Sequence, residues 1–293
     1  MIKKYIKLLR PFTMVAPFIT GLIFSLVAMK YSPSPHNFFL YFKILIGSLA
    51  LALANATSNV LNQVWDIVED RHNPVKRHRP VASGEISERE AMGLAFFGMI
   101  MMMLMAGCVN TTFTILLAII MMFSFIYSVP PLRTKKRLWL NNITIAIPRG
   151  LIGVLASVSI VCDPFIPEFI AIGSIISLYT FSVNPTKDIS DVEGDKIAGV
   201  RNLCTVYGVK KAMRISAFFL VLTYVICILF VYFGIISNGW LFILMLLPVG
   251  IAILYLMLFN PEKKFKGENT ALWYLFYIQM IIIVISFVTT MLV

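Results

Sequence analysis

Three oxygen-bearing side chains recur at helical spacing in the segment NQVWDIVED. Asn62, Asp66 and Asp70 stand at i, i+4 and i+8, so on a continuous helix two carboxylates and an amide oxygen share one face. A second run, KDISDVEGD, sets Asp188, Asp191 and Asp195 at i, i+3 and i+7, again one helical face, with Gly194 allowing another group to approach closely. Like charges at this spacing repel by roughly a few tenths of a kcal/mol per pair on an exposed helix and by more beside a low-dielectric bilayer, so something positive belongs between them. Oxygen donors of this kind suit hard cations such as Mg2+, which takes one or two carboxylates and bridges to substrate phosphate. Cations lie close by: Lys76, Arg77 and Arg79 after the first cluster, Lys187 and Arg201 flanking the second, and Arg133 with Lys135 after the turn YSVPP at 127–131. Carboxylates interleaved with Lys and Arg fit a metal diphosphate better than a bare metal ion.

The elements that carry these residues are membrane spans. Of 293 residues 59% are hydrophobic and only 13% charged, with mean hydropathy +0.87, whereas charged residues make up about a quarter of a soluble domain. Disorder, coiled coil and a large water-soluble domain are excluded. Apolar runs near 12–30, 39–62, 91–109, 112–129, 141–162, 165–183, 212–236, 239–259 and 270–293 predict nine transmembrane helices in an all-α polytopic chain. The first run continues past any leader-like length with no small-residue cleavage site, so it reads as a retained span.

Charge distribution supports this count. All of the 25 Lys and Arg except Lys30, Lys43 and Arg149 fall before the first span or after an even-numbered one, which places the N-terminus inside and the C-terminus outside. The net charge of +11 is therefore a topology signal and not a nucleic-acid footprint. Lys135, Lys136, Arg137, Lys210, Lys211, Lys263, Lys264 and Lys266 are expected to serve that rule and to touch anionic headgroups. Arg149 differs: within an apolar helix an unpaired guanidinium is expensive, so it is expected to have a pocket or an acidic partner. Cys108, Cys162, Cys204 and Cys227 lie far apart without metal-ligand spacing and read as small core residues; His72 and His78 are poor metal ligands among so many cations.

All but Asp163, Glu168, Glu262 and Glu268 of the 14 acidic residues lie in two connections, each after an even-numbered span and recurring four crossings apart. This suggests two related four-helix halves plus one helix. The chain is expected to form one domain over 1–293, with motif-bearing cytoplasmic cap loops at 63–90 and 184–211. Glu69, Glu85, Glu88, Glu90 and Glu193 are expected to be solvated or to cap helices, Ser87-Glu88-Arg89-Glu90 marking the start of the third span.

Asn62 to Asp70, followed by Asn73-Pro74, Arg79-Pro80 and Ser83-Gly84, resembles the first aspartate-rich motif, NDxxDxxxD, of the UbiA superfamily of intramembrane prenyltransferases. Lys187 to Asp195 is similar to the second motif in its KDxxDxxGD form, and Tyr127-Ser128 with Pro130-Pro131 resembles the YSxPP turn after the fourth helix. The motifs stand in family order and cover essentially the whole chain. Gln63 departs from the usual Asp, which removes one anionic ligand; homogentisate-type members are similar in having NQ here.

The resemblance implies a bundle of nine helices around a central cavity, both motifs facing it near the cytoplasmic surface and the isoprenoid tail entering the membrane-embedded part. Mg2+ would be held by Asn62, Asp66, Asp70, Asp188, Asp191 and Asp195, and diphosphate by Lys76, Arg79, Arg133, Arg149, Lys187 and Arg201. Tyr127 would face a developing carbocation or simply pack. The implied reaction moves an isoprenyl group from a polyprenyl diphosphate, geranylgeranyl in type, to an aromatic quinone precursor or to a lipid acceptor; geranylgeranylglyceryl phosphate is the acceptor in the alternative, ether-lipid reading. Two rivals are weaker. A CDP-alcohol phosphotransferase would need a DGxxAR stretch that is absent, and a transporter would be expected to put ionisable groups at mid-membrane, whereas the third, fourth, seventh, eighth and ninth spans have apolar interiors.

Overall fold

In the computed structural model the described residues are 2–32, 35–73, 76–237 and 247–259, with Pro261, Leu275 and Ile278. Helix is their only regular secondary structure, with no strand among them. In chain order the helices are α1 (Ile2–Leu9), α2 (Pro11–Ala28), α3 (Phe38–Trp65), α4 (Ile67–His72), α5 (Glu88–Gly107), α6 (Thr111–Ser128), α7 (Leu138–Ile147), α8 (Gly153–Ser159), α9 (Pro167–Val183), α10 (Val192–Ile197), α11 (Leu203–Tyr207), α12 (Val209–Tyr232) and α13 (Leu247–Leu258).

Seven stretches among the described residues are long and apolar enough to cross a bilayer: Pro11–Tyr31, Phe38–Trp65, Glu88–Gly107, Thr111–Ser128, Leu138–Ser159, Pro167–Ile189 and Val209–Tyr232. They coincide with the first seven expected spans. The eighth, 239–259, is described only over α13, and the ninth, 270–293, lies outside the described residues apart from Leu275 and Ile278. Ser87 caps α5 by accepting from the Glu90 backbone N–H at 3.2 Å, as the sequence led one to expect. Large apolar side chains such as Phe96, Phe97, Leu104, Ile115 and Phe218 point outward; in a bilayer that surface faces lipid and needs no covering.

The chain divides into two compact units. One comprises Met1–Thr134 and Ile152–Pro164, the other Lys135–Leu151 and Phe165–Val293. The boundary between repeats is therefore not a simple cut after the fourth span, because the fifth is shared. That span, expected at 141–162, runs from Leu138 to Ser159 and contains a wide π turn at Pro148–Ile152, where proline removes a donor from the helical ladder.

In the first unit α3 is the axis, packing against α1, α2, α5, α6 and α8. Gly47, Ser48, Ala50, Ala52, Ala54 and Ala56 are buried along it, and small residues let helix backbones approach closely where no hydrophobic force drives association in lipid. At about 1.5 Å per residue its 28 residues reach about 42 Å, beyond a hydrocarbon core of about 30 Å. Its end must therefore emerge into the interface, and Asn62 is at that end. In the second unit α9 packs on α7 and α12, and α12 on α11 and α13.

The α2–α3 crossing is tightest at Gly21, where an added Cβ would sit 2.8 Å from the Ser48 Cα. Backbone cannot yield as a flexible side chain can, so Gly21→Leu is expected to destabilise the protein by about 1–3 kcal/mol through overpacking. Thermal unfolding in detergent should show a lowered midpoint, whereas Gly107→Ala, with nothing within 4 Å of its added methyl, should not shift it.

Candidate active site

The first motif begins inside α3 and runs on past its end. The Asp66 N–H donates to the Asn62 carbonyl at 3.0 Å and the Asp70 N–H to the Asp66 carbonyl at 2.7 Å, so helical bonding carries the i, i+4, i+8 register through the motif. The helix is nevertheless broken at Asp66, whose φ of −105° and ψ of 10° end α3 and start the six-residue α4. Both carboxylates are buried, Asp66 at 6% and Asp70 at 2% exposure.

Buried carboxylates need compensating charge. Arg79 donates through Nη1 to both oxygens of Asp70, at 3.2 and 3.0 Å. Arg133 donates through Nη2 to Asp66 Oδ1 at 3.1 Å, Glu69 Oε1 at 2.9 Å and the Trp65 carbonyl at 2.7 Å. Its backbone has a φ of +34°, a left-handed conformation unfavourable for a side-chain-bearing residue and often retained where position matters. Glu69, expected to be solvated, is instead a partner of Arg133, because α4 turns it toward the same guanidinium as Asp66. Lys76 is half-buried and within electrostatic reach of Asp70. Tyr127 is half-buried near the end of α6.

Three buried atoms around this motif have no hydrogen-bond partner: Asn62 Oδ1 and Gln63 Oε1, both acceptors, and Arg133 Nε, a donor. On the carboxylate face, Asn62 Oδ1 is suited to a cation and Arg133 Nε to an anion. Among the described residues no three His, Cys, Asp or Glu side chains converge as a metal cage. Mg2+ does not require one, since it usually keeps waters and takes one or two carboxylates together with phosphate oxygens. The donor set of Asn62, Asp66 and Asp70 fits that ion.

The second motif, in the other unit, has the same local build. A 3-10 turn over Asn184–Ile189 leads to Asp191, whose φ of −101° and ψ of −5° start the six-residue α10. The Asp191 N–H donates to the Asp188 carbonyl at 3.2 Å, and the Asp195 N–H to the Asp191 carbonyl at 2.7 Å. Asp188 and Asp191 are buried and Asp195 half-buried. Lys187 is within electrostatic reach of all three carboxylates and of Arg149. Arg149 itself, in the π turn, and Arg201 have exposed side chains.

Asparagines fasten this motif, and sequence reasoning missed them. Asn141 Nδ2 donates to Asp188 Oδ2 at 3.1 Å, Asn184 Nδ2 to Asn142 Oδ1 at 2.6 Å, and Asn202 Nδ2 to Asp195 Oδ2 at 2.7 Å. The pair Asn141-Asn142 inside an otherwise apolar span was the available signal. Lys136, expected to serve topology alone, donates to the Ala198 carbonyl at 3.1 Å.

A family model described as the UbiA prenyltransferase family matches residues 17–281. The chain belongs to that family. Among its relatives is a digeranylgeranylglyceryl phosphate synthase from Methanosphaera stadtmanae, 25% identical over 267 residues that cover 89% of this chain and 90% of the relative. Another is 2-acyl-4-prenylphloroglucinol 6-prenyltransferase from Humulus lupulus, 29% identical over 233 residues, 76% of this chain and 56% of that one. The fold matches a UbiA homolog from Archaeoglobus fulgidus, solved bound to GPP and Mg2+, with a TM-score of 0.73 at 21% identity, covering 99% of this chain and 100% of that one. The protein is thus an integral membrane prenyltransferase of the UbiA family.

Burial pushes the Asp70 carboxyl above the ordinary carboxylate range; Arg79 opposes the rise, Asp66 adds to it and Lys76 opposes it. With the folded value above the unfolded one, ionised Asp70 costs stability at high pH, and that cost fades as pH falls through the raised value. In metal-free protein Arg79→Gln removes the cation that opposes this rise, so the variant is expected to lose more stability than the wild type as pH increases toward neutrality, read from thermal unfolding midpoints in detergent across pH. In the second motif, Asn141→Ala should reduce the transfer rate about 10–100-fold by releasing Asp188 with helix content by circular dichroism unchanged.

Proposed function

We propose that this enzyme moves a geranylgeranyl group from geranylgeranyl diphosphate to a geranylgeranylglyceryl phosphate acceptor in an Mg2+-dependent reaction that releases diphosphate. The observation that carries the reading is the pairing of an orphan acceptor, Asn62 Oδ1, with an orphan donor, Arg133 Nε, beside buried Asp66 and Asp70. Such a site asks for a ligand that is cation and anion at once. The lipid acceptor draws its support from relatives named digeranylgeranylglyceryl phosphate synthase that span about nine-tenths of this chain.

Asp66 and Asp70 of the first motif and Asp188, Asp191 and Asp195 of the second would hold Mg2+, with Asn62 contributing its amide oxygen. Bound Mg2+ neutralises charge on the departing diphosphate. Arg79, Arg133 and Lys76, and in the second motif Lys187, Arg149 and Arg201, take diphosphate oxygens through charge-assisted hydrogen bonds. As the allylic C–O bond breaks, its electron pair leaves with diphosphate. The acceptor hydroxyl oxygen then bonds to the prenyl C1 as its proton passes to the released diphosphate. Tyr127, near the end of α6, would offer its ring to the delocalised cation or simply pack. The loops at 63–90 and 184–211 cap the reacting groups against water, which would otherwise capture the cation. They lie on the cytoplasmic side, with the N-terminus inside and nine crossings bringing the C-terminus out.

An aromatic acceptor is the second reading, favoured by the Asn62-Gln63 pair in the first motif and by the 29% identity to the Humulus lupulus enzyme. Purified protein given geranylgeranyl diphosphate with geranylgeranylglyceryl phosphate, homogentisate, 4-hydroxybenzoate or dihydroxynaphthoate separates the two. Diphosphate release should rise with the lipid acceptor and vanish with chelator; release raised only by a phenol would transfer the assignment. Asp66→Ala and Asp191→Ala should each abolish turnover in folded protein, and a wild-type rate from either variant would sink the proposed metal site.

A further inference from the structure

Gln63 replaces the family's usual Asp, and its side chain does not belong to the carboxylate face. It is buried at 2% exposure, and its Nε2 donates to the Leu8 carbonyl at 2.9 Å. One step along an α-helix is a turn of about 100°. Thus Asn62, Asp66 and Asp70 form one row, while Asn55, Asn59 and Gln63 form another at i, i+4 and i+8. This second row meets the N-terminal segment: Asn59 Nδ2 donates to Thr13 Oγ1 at 2.8 Å and to the Leu9 carbonyl at 3.4 Å.

The helix held by this row, α1, is separated from the first span by Arg10, whose φ of +53° turns the chain before Pro11 begins α2. Three sectors run around α1. Lys4, Tyr5 and Leu8 face the protein: Leu8 is buried, Lys4 Nζ donates to the Glu85 carbonyl at 3.2 Å and Tyr5 Oη to Glu90 Oε1 at 2.6 Å. Ile2, Ile6 and Leu9 form an apolar stripe, with Ile2 73% and Ile6 50% exposed. Lys3 and Lys7 form an exposed basic edge beside it, and the helix contains no acidic residue.

We propose that α1 is a docking element for an anionic lipid leaflet, clasped to the first-motif helix by Gln63. The occupant follows from the charge and the position. An apolar stripe bordered by lysines, immediately before a membrane span, dips its aliphatic side chains among acyl chains and lays its ammonium groups on anionic headgroups. Through the Gln63–Leu8 hydrogen bond, the leaflet and the helix that carries Asp66 share one mechanical connection. Gln63 is therefore a positioning residue between membrane surface and motif, and an Asp at this site would set an anion against the Leu8 carbonyl. The inference rests on the chain being membrane-embedded and does not depend on the acceptor.

Hydrogen exchange at the α1 amides tests it without any activity readout, using the full chain in nanodiscs of phosphatidylcholine alone or mixed with phosphatidylglycerol. Exchange should be slowed about tenfold or more by the anionic lipid in the wild type, as expected from two lysines near a charged surface. The Lys3→Gln, Lys7→Gln double variant, altered only at exposed positions, should lose that lipid effect. Gln63→Leu should raise α1 exchange in neutral discs and leave the slowing by anionic lipid intact. Equal exchange in both discs, as a stripe covered by a second copy of the chain would give, overturns the proposal, and so does a lipid effect that survives loss of both lysines. Unchanged exchange in Gln63→Leu overturns the clasp.

Discussion

Burying carboxylates at the end of a membrane span is tolerable only if their charge is balanced on the spot. Much of the first unit's architecture at its motif-bearing end follows from this constraint. Asp70 has a two-oxygen grip from Arg79, nine residues on in the same loop. Asp66 depends on Arg133, which arrives from beyond the fourth span and accepts a left-handed backbone to get there. Removing one partner of such a pair costs more than the pair contributes, because the remaining charge stays buried. The turn after α6 is thereby tied to the end of α3, and the loop after α4 must fold back on itself. Glu69 adds a second anion to Arg133 at 2.9 Å, which leaves that guanidinium holding two carboxylates with its Nε still unmatched.

The two motifs solve the same backbone problem in the same way. Asp66 and Asp191 sit at nearly identical dihedral angles, each at the start of a six-residue helix, and each carbonyl receives the N–H of the next motif aspartate at 2.7 Å. This is stronger evidence for an internal repeat than spacing alone, since local geometry of an irregular segment is seldom reproduced by chance sequence similarity. The side-chain contacts differ in kind: arginines grip the carboxylates of the first motif, whereas in the second Asn141 holds Asp188 and Asn202 holds Asp195, with Lys187 within electrostatic reach of all three carboxylates.

What the sequence made legible was whatever depends on local spacing or on bulk composition. Apolar runs and the Lys and Arg distribution located the first seven spans to within a few residues, since water-to-bilayer partition acts on each segment separately. The helical rows Asn62-Asp66-Asp70 and Asp188-Asp191-Asp195 were legible for the same reason. Partners distant in sequence were not. Nothing about Glu69 distinguishes it from a solvated glutamate until Arg133 is brought 64 positions back to meet it, and Asn141 looks like an ordinary interfacial polar residue until Asp188 packs against it. The shared fifth span was also hidden, because the way helices cluster is a property of tertiary contacts and the hydropathy trace stays continuous through Pro148.

Gln63 shows how far one helical step can separate sequence neighbours in role. Read in the motif, it is a lost carboxylate and hence a weaker metal shell. Read on α3, it lies on the row of Asn55 and Asn59, pointing at the N-terminal helix, and an anion there would have a carbonyl oxygen for a neighbour in place of an amide donor for an acceptor. The substitution therefore removes no carboxylate from the row of Asn62, Asp66 and Asp70. What it adds is a neutral donor where the chain needs to hold a helix of its own backbone, and the amide supplies that without importing a further charge beside Asp66, Glu69 and Asp70.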